Sequence, residues 1–303
     1  MSEEETDAAD TSLSCCCASC GIAEIDDVKL VPCDGCDLVR YCSDDCQDNH
    51  KQEHARKCKR RAAELREELL FKQPDRSSYG DCPICCLPMP IDVLKTTLFE
   101  CCSKTICKGC EYANDKREIE MRLPQSCPFC RQALPETDEE GEKLRMKRIE
   151  ANDPVALRQQ GHYLRYLKED YIRAFEYFTM AVTLGDVEAH YKLAVMYREG
   201  HGVEKDVGKK IYHYEQAAIS GHPRARYNLG FYEWNNNENA QRAVKHWIIA
   251  ATLGEGDSLK ALMKAFEEGF IEKKVLAAAL RSQKAAVDAT KSPQRKAAAP
   301  RNP

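Results

Sequence analysis

Residues 189–221 read AHYKLAVMYREGHGVEKDVGKKIYHYEQAAISG, and their pattern decides the architecture of the C-terminal half. Two helix-forming stretches flank a glycine-rich loop, EGHGVEKD, and Gly221 closes the unit. The unit recurs. Leu184-Gly185, Ser220-Gly221 and Leu253-Gly254 end successive copies, with glycine spacings of 36 and 33 residues. Ala189 and Ala225 each fall four residues after a glycine, while Leu193, Leu229 and Leu262 keep phase. Ala217-Ala218 and Ala250-Ala251 precede their glycines, with Ala181-Val182 in the first copy. A period in the thirties with two helices per unit predicts a helical solenoid, in which small residues let helices approach and each glycine ends a helix. The first and third copies carry shorter loops, LKED and NNNEN. A partial fourth unit, from Asp257 to about Ala289, lacks the closing glycine, as a terminal cap would.

These copies resemble Sel-one-like repeats, relatives of the tetratricopeptide class, and the resemblance implies a surface over residues 151–289 that holds a partner peptide. The histidines there, His162, His190, His201, His213, His222 and His246, are scattered without cysteine partners, so they are assigned to faces and loops. Tyr191, Tyr197, Tyr212 and Trp247 are expected to pack in the core.

Upstream the chain changes character. The segment 82–131 carries four cysteine pairs: CPIC at 82–85, ECC at 100–102, CKGC at 107–110 and CPFC at 127–130. Thiolates two residues apart can grip one Zn²⁺, and two such pairs complete its tetrahedral shell, so four pairs imply two metals. The pattern resembles an all-cysteine RING-type module, in which pairs one and three share one ion and pairs two and four the other. On that resemblance Cys82, Cys85, Cys107 and Cys110 form one set and Cys101, Cys102, Cys127 and Cys130 the second, the adjacent cysteines of the latter being a departure from the family. The same resemblance implies contact with a ubiquitin-conjugating enzyme through Ile84, Pro128 and, less directly, Tyr112. Arg131 takes the position of a basic residue whose planar fork bridges enzyme and ubiquitin.

A second ligand series precedes it: Cys17 and Cys20, Cys33 and Cys36, Cys42 and Cys46, then His54 and Cys58. The last two pairs have helical spacing, and His54, rather than His50, gives the three-residue gap to Cys58. With Tyr41, Cys42, Ser43 and Gln47 these positions resemble a MYND-type zinc finger. The resemblance implies one ion on Cys17, Cys20, Cys42 and Cys46, a second on Cys33, Cys36, His54 and Cys58, and a protein partner. Peptide-docking relatives carry an aromatic residue where this chain has Lys51. Seven cysteines and one histidine here, eight cysteines in the next module, and Cys15, Cys16 and Cys86 left over account for all 18 cysteines.

Composition fits this division. The acidic start MSEEETDAAD lacks the basic and apolar parts of a secretory signal, so clustered cysteines are read as metal ligands in a reducing compartment, cytoplasm or nucleus. No apolar run approaches the ~20 residues that span a bilayer. A net charge of −4 argues against nucleic acid as partner.

Residues 1–14 are expected to be a disordered acidic tail, 15–58 the first zinc module, 59–81 a helix and linker, and 82–131 the second module. Residues 132–150 read as a charged linker becoming helical near Leu144, and 290–303 as a disordered tail. The expected fold class is mainly α: two small irregular α+β cross-brace modules held by four structural zinc ions, then a short α-helical solenoid. Function is left between two readings. One is an adaptor whose second module positions a ubiquitin-conjugating enzyme near a target recruited by the repeats or the first module; the other is a non-catalytic scaffold.

Overall fold

The computed structural model describes residues 16–24, 29–236 and 238–298. It divides into two units, 1–72 and 73–303. The acidic segment 1–14 and Cys15 lie outside the described residues.

The first unit is built on a two-residue hairpin, β1 (Val31–Pro32) antiparallel to β2 (Arg40–Tyr41), followed by a 28-residue helix, α1 (Asp44–Phe71). Ser43 starts α1 by accepting from the Cys46 N–H, with Asp44 and Asp45 set against the positive helix end. Neither Gly nor Pro interrupts residues 44–71, so the ligand helix and the expected spacer helix are one element. Tyr41, Leu30 and Cys17 form the small core. Arg61 of α1 forks onto both Asp37 carboxylate oxygens, at 2.8 and 3.0 Å, tying helix to hairpin.

The second unit begins with β3 (Thr96–Phe99) antiparallel to β4 (Lys104–Cys107), then α2 (Lys108–Met121). The helices α3 (Asp138–Glu150), α4 (Pro154–Tyr166), α5 (Tyr171–Thr183), α6 (Val187–Glu199) and α7 (Val207–Ile219) come next. After them stand α8 (Pro223–Asn236), α9 (Ala240–Thr252), α10 (Asp257–Glu267), α11 (Lys273–Ala289) and the short α12 (Pro293–Ala297). The chain is thus mostly helical, a repeat solenoid after a cysteine-rich region with few strands. Asp153, Asp170, Asp186, Asp206 and Asn239 each accept a main-chain N–H at a repeat-helix start. Gly185, Gly221 and Gly254 sit at φ +84°, +83° and +96°, the left-handed conformation that closes a helix.

Close approach explains the small residues. Ala174, Ala181, Ala189, Ala217, Ala218, Ala225, Ala250 and Ala251 are all fully buried. Phe178 fills the space over Gly161, where a Cβ would come within 2.8 Å of its ring. At the far end Trp247, Ala243, Leu262 and Ala279 make a second core.

Three segments differ from the sequence reading. The charged linker expected to become helical near Leu144 is helical from Asp138 and packed: Arg145 of α3 is buried, donates to Gln160 at 2.8 Å, pairs with Glu100 and lies 4.9 Å over the Tyr163 ring. Its charge, which suggested solvent exposure, is matched by a carboxylate 45 residues away. The segment 73–81 docks on the α7–α8 turn, where Ser78 N–H donates to Gly221 O at 3.0 Å and Tyr79 packs on His222. Within the expected tail, residues 293–297 form α12 against α2, while 299–303 lie outside the described residues. Two side-chain assignments also change. His222 and His246 are fully buried, and Tyr212 is 51% exposed.

Candidate metal centres

Three of the cysteine pairs adopt the same local turn. In Cys17–Gly21, Cys82–Cys86 and Cys127–Arg131 the fifth residue donates its N–H to the first residue's carbonyl, at 2.9, 2.8 and 2.9 Å. The first cysteine's N–H then reaches the carbonyl of the sixth residue, Ile22, Leu87 or Gln132. That closure forces the fifth residue to positive φ: Gly21 +77°, Cys86 +55° and Arg131 +64°. Cys86 is therefore a turn residue and no ligand. Position after a CxxC does not by itself mark such a residue, since Asp37 and Glu111 also follow one without positive φ.

Helices supply the remaining donors. Cys46, His54 and Cys58 lie on α1, Cys107 caps α2 and Cys110 is in its first turn. Cys101 and Cys102 occupy the β3–β4 turn, where chain reversal replaces strand alternation and lets neighbours face one centre. Four sets result: Cys17/Cys20/Cys42/Cys46, Cys33/Cys36/His54/Cys58, Cys82/Cys85/Cys107/Cys110 and Cys101/Cys102/Cys127/Cys130, each with its donor atoms within 4.8 Å of one another.

The sets fit zinc. A tetrahedral ion with Zn–S of about 2.3 Å needs sulfurs about 3.8 Å apart. Cys82–Cys110, Cys85–Cys107 and Cys102–Cys127 stand at 3.8 Å, Cys33–Cys58 at 3.7 Å and Cys101–Cys130 at 3.4 Å. His54 Nε2 is 3.1 Å from Cys36 Sγ, whereas His50 turns its Nδ1 to the Tyr41 hydroxyl at 3.0 Å.

Electrostatics point the same way. Burial pushes the Cys17 thiol up, but main-chain N–H donors of Cys20, Cys42 and Ser19 outweigh it and leave it at about 6. Cys82, opposed by burial and favoured by the N–H groups of Cys107, Cys85 and Ile84, falls to about 7. Other thiols within the sets resist ionisation. Hydrogen bonds to the Cys20 and Cys46 thiols hold Cys42 at about 12, and burial together with the Cys33 and Cys36 thiols does the same to Cys58. One thiolate forms readily and the next are held protonated by crowding, a balance that a dication reverses. Burial, then the charges of His50 and Lys57, lowers His54, keeping the ring neutral as a ligand must be.

Residues 17–58 match the family model of the MYND finger. Residues 157–186, 187–222 and 223–255 each match the Sel1 repeat. No RING family model matches. Among solved structures, a Sel1 repeat protein from Oxalobacter formigenes is 25% identical, with TM-score 0.46, over 52% of this chain and 68% of that one. The protein c5321, a protective antigen of uropathogenic Escherichia coli strains displaying an SLR fold, is 23% identical, with TM-score 0.44, over 50% of this chain and 34% of that one. MYND fingers and Sel1 repeats are protein-interaction modules, so the chain combines a zinc finger with a repeat scaffold.

The residues expected to meet a partner enzyme are placed unequally. Ile84 is 41% exposed and Tyr112 42%. Pro128 is buried, and the exposed apolar residue beside it is Phe129 at 44%. Arg131 Nη1 donates to Asn114 Oδ1 at 2.5 Å, and the buried Asn114 in turn donates to Ser126 O. Asn114 and Glu118, which accepts from the Ser126 hydroxyl at 2.6 Å, carry no motif signal. In the repeats, a groove of about 460 Å³ between α4 and α6 is lined by Arg165, Lys192, Arg198 and Arg224, with Glu199 as its acid. Among the described residues no helix is long and apolar enough to cross a membrane.

Proposed function

We propose that this chain is a four-zinc adaptor whose second module, residues 82–131, works as a RING-like platform for a ubiquitin-conjugating enzyme while the other surfaces recruit the target. The observation that carries the reading is the second module's pair of interleaved four-thiol sets, with Ile84 and Tyr112 exposed and the Arg131 guanidinium fixed against Asn114 of α2. Zinc, when bound, supplies folding energy only. The ligand cysteines then hold no free thiol for ubiquitin, so catalysis reduces to positioning an already charged enzyme. Domains divide as 15–58 for the first module, 82–131 for the second and 151–289 for the repeats, in a reducing compartment, cytoplasm or nucleus.

Recruitment falls to the repeats and the first module. In the α4–α6 groove Glu199 accepts from both Arg165 and Arg198, Lys192 reaches Glu188 at 3.0 Å, and Arg224 is exposed on the groove wall. With Tyr166 and Tyr191 beside them, these cations suit an acidic peptide.

Auto-ubiquitination with a panel of conjugating enzymes, on zinc-replete full-length protein, tests the platform. Product that is abolished by Ile84→Ala and reduced by Arg131→Ala supports it. No product with any enzyme favours the second reading, a non-catalytic scaffold, which the buried Pro128 speaks for.

A further inference from the structure

The chain's last described helix contacts a cluster formed some 200 residues earlier. Ser292 starts α12 by accepting the Arg295 N–H at 3.1 Å, and Pro293 occupies its first turn. From there the Arg295 guanidinium enters the second zinc module. Nη1 donates to Pro88 O at 2.7 Å and to Thr290 O at 2.7 Å. Nη2 donates to Leu87 O at 3.1 Å and to Cys85 Sγ at 3.3 Å. Gln294 adds a bond to Gly109 O at 2.9 Å.

Two of these acceptors belong to the metal knuckle itself. Leu87 O also receives the Cys82 N–H that closes the turn, and Cys85 Sγ is one of the four donors. The approach also dictates a residue of the CKGC motif. A Cβ on Gly109 would stand 2.8 Å from Arg295 Cγ and 2.9 Å from its Cα and N, so only glycine admits the segment. That glycine has negative φ inside α2, so its presence answers to packing and not to backbone conformation.

We infer that residues 292–297 are a clasp on the Cys82/Cys85/Cys107/Cys110 centre, with Arg295 as its outer-sphere positioning residue, so that retention of this one ion depends on the C-terminal end of the repeat domain. A donor to a zinc thiolate disperses its charge and fixes its direction, and outer-sphere partners of this kind typically hold metal about 10–100-fold more tightly. The fork is essential. One guanidinium spans a sulfur and three carbonyls in fixed directions, which an ammonium cannot do. The knuckle so held carries Ile84, so the clasp also sets the loop assigned above to the partner enzyme.

The inference rests on zinc at this centre and is independent of ligase activity. Full-length protein loaded with zinc is challenged with excess EDTA, release is followed with a metallochromic indicator, and pulsed N-ethylmaleimide labelling with mass spectrometry assigns which thiols open. Arg295→Gln, Arg295→Lys, Gly109→Ala and a stop after Lys291 are compared with the unaltered chain. In all four variants Cys82, Cys85, Cys107 and Cys110 should label roughly tenfold faster or more, with one ion released early and the other centres unchanged. Unchanged labelling of those four cysteines in the Arg295→Gln and stop variants, or equal acceleration at every centre, overturns the clasp. A total below four ions in the unaltered chain refutes the four-site reading separately, because the thiol-resolved rates still decide whether the segment protects its own knuckle.

Discussion

Glu100 and Arg145 form an ion pair whose two halves are not equivalent, and the difference can be measured. The Arg145 side chain is 9% exposed and that of Glu100 is 27%. Glu100→Ala leaves a guanidinium buried with only Gln160 and the Tyr163 face as partners. Breaking a buried pair in this way costs roughly 3–5 kcal/mol. Arg145→Met leaves a carboxylate that can turn into water and keeps an apolar stem of similar volume over Tyr163. Its expected cost is about 1.5–3 kcal/mol, from the lost charged hydrogen bond and the buried Gln160 Oε1 left without its donor. The chain's two tryptophans, Trp234 and Trp247, both lie in the repeats, so urea unfolding monitored by their fluorescence reports the solenoid and the segments packed on it. The Glu100 variant should have a clearly lower midpoint than the Arg145 variant. Two neutral substitutions would mean that 138–150 is the loose linker its composition suggests, and a costlier Arg145→Met would refute the exposure argument.

Cys86→Gly should raise stability by about 1 kcal/mol, by relieving an L-residue at φ +55°, and should keep the full zinc content; a lost ion would make Cys86 a ligand. Zinc binding must displace protons from thiols such as Cys42 and Cys58, held near 12, so affinity should rise from pH 6 to 8 and fall toward acid, with more than one proton released per ion. Potentiometric titration during zinc addition checks this, and a pH-independent affinity contradicts it. A fluorescein-labelled peptide of alternating glutamate and leucine should bind the repeats, more weakly in 200 mM than in 50 mM salt, while its glutamine counterpart does not. The Arg198→Glu/Arg224→Glu double variant should instead take a lysine–leucine peptide, and failure of that exchange argues against the groove.

What could be read from the sequence was what is local. Three CxxC pairs close their turn with bonds among six consecutive residues, and alanines recurring four residues after a glycine mark close-packed helices. The segments that sequence reasoning misplaced depend on partners far along the chain. Arg145 reads as solvated until Glu100 comes beside it, and His222 as a loop residue until it meets Glu188 at 2.8 Å and the Tyr79 ring. Residues 290–297 have the composition of a loose tail. Nothing near Arg295 in sequence shows that Leu87 O and Pro88 O await it. Pro128 misled for a different reason: the motif fixes the position of the residue but not the face of the knuckle it occupies.

Metal counting on the reduced, full-length protein tests the account most directly. Elemental analysis should find four zinc ions per chain, one for each donor set, and three after Cys101→Ser in the adjacent-cysteine centre. Three ions in the unaltered chain, with none lost on substituting Cys101, would contradict the arrangement of that centre and the RING-like platform built on it.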